Sequence, residues 1–404
     1  MNYIKLSWRN LWRNRRRTLI TVASIFFGVV LSTLMSSMMN GTYQNMIDMM
    51  VKISTGYIQV QDPSFGESRS VNDVFYPQPE LIESIDKTEE VTVVAKRLES
   101  FALFSSGADT RGGAVIGIEP QYDTLTSNLR NWVSEGSFLE SGGKGVLVTS
   151  NIARSLNLGV NDTIIVISQG YRGVTSAGLF PVTGIIEFST PQMNNLGVFM
   201  DVGAAQELFH ADSMVTSLMI MVSDYTHVNR ISRKIKDLAP GLSVKDWTEL
   251  NPDLVNFIEG DRSSGNLMIG ILYMVIGFGI LGTIIMMVAE RKKELAVMTA
   301  VGMRKYKLSL MFFIETLLIG LIGVISGFAA SIPLIGYFVN NPIRLPGDMA
   351  EAYLQYGFDP YMFFSAAPSV FINQAIIIFV IAMAISLYPV LKVKKMSVAH
   401  SLKS

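Results

Sequence analysis

The chain of 404 residues has no cysteine and only three histidines, His210, His227 and His400. Structural disulfides, iron–sulfur clusters and thiolate zinc sites are therefore excluded. Three scattered imidazoles leave nothing from which to build a metal cluster. Charge is scarce as well, with 16% of residues charged against 49% hydrophobic. Ordinary soluble proteins carry about a quarter charged residues, so this chain is too apolar for that class. Its 33 Lys+Arg balance 33 Asp+Glu to a formal net charge of zero. That balance argues against a nucleic-acid partner, which calls for a basic domain, and the apolar content excludes disorder. Yet the charges are too many for a chain made only of membrane spans. A molecule divided between bilayer and water reconciles the two facts.

Four stretches are long and apolar enough to cross a bilayer, which takes about 20 residues: 18–39, 267–289, 308–339 and 370–390. A cleaved signal peptide is the rival reading of the first. Its apolar core is too long for that, and no small-x-small site follows Met38 and Met39. It reads as an uncleaved anchor. Charge placement then orients the chain. Segments 1–17, 290–307 and 391–404 together carry 16 positive and 2 negative charges, whereas 41–266 carries 16 positive and 27 negative. The positive-inside rule puts both termini and the 290–307 loop in the cytoplasm, with 40–266 and the short loop 340–369 outside.

The outer region 40–266 reads as a mixed α/β domain. β-rich runs at Gly56–Val60, Val91–Ala95, Ala114–Ile118, Gly145–Thr149, Thr163–Ile167 and Val182–Ile186 are bounded by Gly, Pro, Asn and Asp. Helical patterns fall at Glu80–Asp86, Asn151–Leu156, Val202–Phe209 and His227–Leu238. Strands dominate about residues 130–200, which predicts a β-rich subdomain inserted into the α/β one. No catalytic signature is present. Gly142-Gly-Lys-Gly145 lacks the Ser or Thr that must follow the lysine of a phosphate loop, and reads as a turn between strands.

The inner segments are more informative. Residues 1–17 form a basic amphipathic helix with Ile4, Trp8, Leu11 and Trp12 on one face and Lys5, Arg9, Arg13 and Arg16 on another. Tryptophans at headgroup level make it an interfacial anchor; contact with a cytoplasmic partner is the second reading. In the loop, Glu290 to Gly302 reads as a helix stopped by glycine. Its charges cluster in the first turn, and Leu295, Met298 and Val301 share a face. That face either docks into a groove on another protein or lies on lipid headgroups.

Within the spans, Ser24, Gly28, Ser32 and Ser36 form one ladder of small residues, and Gly323, Gly327 and Ser331 another. Such ladders let helices approach closely, either inside one chain or across a dimer; four spans are few for a transport path, which favours the dimer. Glu315 is the one charge well inside a span. Its position near the cytoplasmic boundary predicts a structural ion pair with a basic residue there; a proton-relay or substrate site is the second reading. Past the first span, Met35, Met38, Met39, Met46, Met49 and Met50 continue an apolar helical pattern, and Leu254, Phe257 and Ile258 precede the second. Both predict helices leaving the membrane as a stalk. Met39, Tyr43, Met46 and Met50, with Phe257 and Ile258, are candidate lining for a substrate cavity, or simply the stalk's own packing.

The chain resembles the permease subunits of ABC transporters of the lipoprotein-releasing and MacB-type efflux class, which includes the FtsX-like permeases. The most specific residues are Glu290-Arg291-Lys-Lys-Glu294-Leu295-Ala-Val-Met298-Thr-Ala300-Val-Gly302, which follow the family pattern E-R-x-x-E-[IL]-[AG]-x-x-x-A-x-G. Phe313-Ile-Glu315 and Gly320-Leu-Ile-Gly323-Val-Ile-Ser-Gly327 resemble the family's third span. Asn10 with its arginine run resembles the family's first helix. The ending Tyr388-Pro389…Ser397-Val-Ala-His400 resembles the usual one, with Ser397 and His400 as departures. The resemblance implies a bacterial inner-membrane protein that is not itself an enzyme and holds no cofactor. ATP and Mg would be bound by a separate ATPase docking on loop 290–307. It further implies a second permease, identical or different, and motion passed to the outer domain. Lipoprotein cargo with a periplasmic chaperone or adaptor is the leading implication. Efflux of a peptide, antibiotic or other amphiphile is the alternative, and mechanical control of a cell-wall hydrolase is a third.

Overall fold

A computed structural model describes residues 3–13, 15–68, 70–107, 109–355 and 358–395. The motif around Ser397 and His400 lies outside them, as does the side chain of Ile4. The described residues fall into two compact units. One holds those up to Gln44, Ile258–Arg344 and those from Tyr361 onward; the other holds those of Asn45–Phe257 and Leu345–Pro360.

The first unit is helical. Its framework comes from four long helices, Arg15–Met50, Pro252–Glu290, Lys305–Asn340 and Pro368–Lys395. All four are long and apolar enough to cross a membrane. In hydrocarbon every backbone N–H and C=O must find its partner inside the chain, and an unbroken helix does this with its own residues. Leu11, Ile25, Val29, Ile276, Ile280, Ile319 and Ile378 form the buried seam. An N-terminal helix, Tyr3–Arg13, packs on the third long helix: Leu11 is buried, and the Ser7 hydroxyl donates to the Met311 carbonyl at 3.2 Å. Leu11 thus leaves the face it was expected to share with Trp8 and Trp12. The two tryptophans stay exposed, edge to face at 6.2 Å.

The first long helix runs on past Met50 as a π-helical turn, Val51–Thr55. Gly56 ends it at φ 72°, a left-handed conformation that costs glycine little. The carbonyls left free there are taken by Arg97. This fully buried side chain donates from Nη2 to the Ile53 carbonyl at 2.8 Å and from Nη1 to that of Ser54, with Glu99 at 3.3 Å from Nε. A cation suits a helix C-terminus, where the backbone dipoles leave partial negative charge. Burial pushes the guanidinium below its ordinary range, and Glu99 opposes that shift.

The second unit is built on a ten-stranded sheet: β1 Ile58–Gln61, β2 Val91–Ser106, β3 Asp109–Ile118, β4 Val133–Gly136, β5 Val146–Thr149, β6 Thr163–Gln169, β7 Thr175–Ile186, β8 Gly197–Asp201, β9 Ser217–Val222 and β10 Ser243–Asp246. Its order is β10-β1-β9-β2-β3-β8-β5-β7-β4. β6 pairs with both β2 and β7, which closes β2-β3-β8-β5-β7-β6 into a ring of six strands. Alternate side chains fill its interior, among them Leu98, Phe104, Val115, Val148, Val166 and Met200. β3 and β8 run parallel and close: a Cβ on Gly197 would stand 2.0 Å from the Ala114 carbonyl oxygen.

The strand-dense stretch at about 130–200 is therefore not self-contained. Two of the six ring strands, β2 and β3, come from 91–118. β2 is long enough to serve both halves of the sheet, pairing with β9 over Val91–Arg97 and with β3 over Leu98–Ser106.

Candidate functional site

The residues that resemble the family's loop motif sit at the junction of the second and third long helices. Glu290 is the last residue of the second, Arg291 turns the chain, and Lys292–Ala300 forms a short helix. Gly302, at φ 103°, ends the turn before the third helix begins at Lys305.

Three acidic side chains of this junction are each met by arginine. Arg17 pairs with Glu290. Arg13 holds both oxygens of Glu294, at 3.0 and 2.8 Å. Arg291 holds both oxygens of Glu315 through Nη1, at 3.0 and 2.8 Å, and its guanidinium lies 5.6 Å from the Phe312 ring centre. Arg291 and Glu315 are both buried. The expected partner of Glu315 was a basic residue at the cytoplasmic boundary; the structure supplies Arg291, 24 positions back across the loop. Removing one member of such a pair strands the other's charge in an apolar setting. The arrangement ties the N-terminal segment, the loop and the third helix into one ionic cluster.

The apolar stripe of the loop requires correction. Leu295 is buried with Val288, Leu308, Met311, Phe312 and Val393, and Met298 packs against the same group. Those two therefore do not face outward with Val301. The outward apolar surface consists of Val297, 52% exposed, and Val301, 83% exposed, beside exposed Ala300 and Gly302. Spacing explains the exchange. Leu295 and Met298 lie three apart on the inner face, while Val297 and Val301 lie four apart on the outer one.

The small-residue ladders pack within the chain. A Cβ on Gly323 would stand 2.6 Å from Ile25 Cβ, and one on Gly327 would stand 2.8 Å from Val29 Cβ. Gly28 faces Ile276 at 2.8 Å. Ser32 and Ser331 are buried and bond back to Val29 and Gly327, while Ser24 bonds to Ile20 and Ser36 meets Asn40. The ladder of the third helix is thus filled by the first helix of the same chain, which corrects the preference for a dimer contact there.

The candidate cavity residues separate. In the helical unit Met39 sits against Gly265, whose added Cβ would stand 2.3 Å from Met39 Cε, and Tyr43 donates to Asp261 at 2.6 Å. Both join the first and second long helices, and both also line a polar cavity of about 320 Å³. Ile258 is buried. In the other unit Met46 is buried, Phe257 lies against Phe358 with ring centres 5.5 Å apart, and Met50 lines a different cavity. An almost wholly apolar cavity of about 550 Å³ lies instead on the helical unit. Leu31, Leu34, Met35 and Met38 of the first helix line it, with Ile271 and Val275 of the second. Met35 and Met38 belong to the methionine run noted in the sequence; the helix turn, which cannot be read from composition, decides which of that run faces the opening.

Models of two families match consecutive parts of the chain. The MacB-like periplasmic core domain matches residues 18–238, and the FtsX-like permease C-terminal domain matches 266–398. Among curated relatives, the lipoprotein-releasing system transmembrane protein LolC of Neisseria meningitidis serogroup B is 20% identical over 340 residues. That match covers 81% of this chain and 78% of the relative. The macrolide export ATP-binding/permease protein MacB of Mannheimia succiniciproducens is 24% identical over 368 residues, 84% of this chain and 53% of the relative. The chain thus spans about half the length of that MacB. The crystal structure of the periplasmic region of MacB from Actinobacillus actinomycetemcomitans covers 51% of this chain and 95% of its own, at 13% identity and a TM-score of 0.36, a likeness too loose to argue from.

Proposed function

The chain belongs to the MacB-like and FtsX-like permeases of ABC transporters, and from that premise we propose that it releases lipoproteins from a bacterial inner membrane. An ATPase on a partner chain, binding ATP and Mg, docks on the loop through Val297 and Val301. Both termini and this loop face the cytoplasm, as their excess of Lys and Arg favours, and the β-rich unit faces the periplasm. A second permease, the same or different, completes the membrane assembly. A periplasmic chaperone or adaptor receives the cargo.

The observation that carries this reading is the apolar cavity on the helical unit. A lipid anchor gains about 0.8 kcal/mol per buried CH₂ in the bilayer, so extraction needs an apolar receiving surface as well as ATP. Leu34, Met35, Ile271 and Val275 present such a surface. The match to LolC, which covers 78% of that protein's length, is in keeping with lipoprotein cargo.

Photo-crosslinkers at Leu34 and Ile271 test this reading in cells. Lipidated protein should be captured there and released when ATP turns over. Capture of phospholipid alone, while transport runs, would show that cargo takes another route.

A further inference from the structure

A cavity of the β-rich unit combines apolar walls with polar groups that lack partners. It measures about 560 Å³, within the range of about 300–1,000 Å³ common for small-ligand sites. Ile53, Phe65, Leu196 and Leu250 supply apolar wall. Gln61 enters from β1, only 1% exposed, and its Nε2 has no hydrogen-bond partner among the described residues. A buried amide left unpaired is costly, and native structures rarely keep one without a reason. Lys245, from β10, lines the same space and has no ion pair among the described residues.

Both nitrogens lie close to Gly66. A Cβ on Gly66 would stand 2.8 Å from Lys245 Nζ and 3.2 Å from Gln61 Nε2, which leaves the two nitrogens about 6 Å apart at most. An acceptor-only group with several lone pairs suits an amide donor beside an ammonium, and a carboxylate is the simplest such group. Two carboxylates also line the cavity. Glu99 is engaged by the buried Arg97, and Glu249 is exposed to solvent. Neither is one of the two described atoms nearest to the Gly66 Cβ position.

We propose that this cavity binds a small carboxylate-bearing amphiphile, its head held by Gln61 and Lys245 and its chain by Ile53, Phe65 and Leu250. Ile53 belongs to the π-helical turn that Arg97 grips, so the bound chain lies against the last turn of the first long helix. The site does not depend on the cargo assigned above, and its test needs no ATP.

Octanoate serves as probe. Labelled octanoate is dialysed against the full chain in nanodiscs, with empty nanodiscs as the blank. Saturable binding above the blank is expected. Lys245→Ala should weaken it about tenfold, as loss of a charge-assisted hydrogen bond does, and Gly66→Val should weaken it by pushing the two nitrogens aside. Lys245→Arg, which keeps the charge, should retain binding and serves as the folded control. Octylammonium should not bind. Retention of octanoate no greater than by empty nanodiscs, equal binding by the alanine variant, or octylammonium binding as tightly as octanoate would each overturn the proposal.

Discussion

In the helical unit Phe27, Leu267, Val275 and Phe278 point outward while Arg291 and Glu315 are buried against each other. In the β-rich unit the arrangement is reversed for most residues. Phe104, Phe199 and Phe209 are buried, and the pairs Lys87–Glu83, Lys144–Glu207 and Arg154–Glu187 lie on the surface. The same side-chain chemistry is thus sorted by two solvents. Hydrocarbon accepts an exposed phenylalanine and forces charges to pair inside; water draws charges out and drives the aromatic rings in. Arg97 shows that the β-rich unit buries a charge too, but only where two backbone carbonyls and a carboxylate receive it.

The largest expected effect comes from breaking the buried pair. Arg291→Met should destabilise the chain by about 3–5 kcal/mol, since it leaves the buried Glu315 carboxyl group without its partner. Adding Glu315→Leu should recover most of that loss, because the pair as a whole contributes less than its halves cost when separated. Thermal unfolding of both variants in nanodiscs checks the order. If the single and double variants melted together, the ion pair would not be what organises this junction.

Next comes packing between helices. Gly327→Leu should cost about 1–3 kcal/mol or split the bundle, as overpacking does, because Val29 Cβ and the Phe26 carbonyl stand 2.8 and 3.0 Å from the first added atom. Disulfide trapping between the first and third helices should fall in the variant. An unchanged trapping rate would place that face elsewhere.

The smallest effect sharpens the contrast of solvents. Phe278, 66% exposed in the helical unit, and Leu179, 69% exposed on β7, look alike by accessibility. Leu179→Ser should change stability by no more than about 0.5 kcal/mol, as exposed sites in water do. Phe278→Ser should cost on the order of 1 kcal/mol in a bilayer, where an apolar side chain is favoured. Equal responses of the two in nanodiscs would mean that Phe278 does not face lipid.

What could be read from sequence follows the same division. The four long helices announce themselves because the bilayer demands long unbroken apolar runs, and composition suffices to find them. The loop helix with its glycine stop was legible too, since its signals are local. Pairings across distance were not. Arg291 finds Glu315 only once two helices fold back on each other, and β6 closes its ring only when β2 and β7 lie on either side. The ladder of Gly323 and Gly327 was visible as a pattern, but which helix fills it depends on the bundle. The methionine run was legible as a pattern, but which of its members meet which surface depends on the turn of the helix. Met46 is buried and Met39 meets Gly265 beside a polar cavity, while Met35 and Met38 line the apolar one.

In the function proposed above, the loop Glu290–Gly302, pinned by Arg13, Arg17 and the Arg291–Glu315 pair, offers Val297 and Val301 to a cytoplasmic ATPase. A photo-crosslinker placed at Val301 in the full chain, with one at Leu295 as a buried reference, tests it in living cells. Val301 should capture an ABC ATPase in a manner that changes with ATP, and Leu295 should capture only this chain. Capture of phospholipid alone at Val301, with transport intact, would put the loop on the membrane surface and contradict the claim.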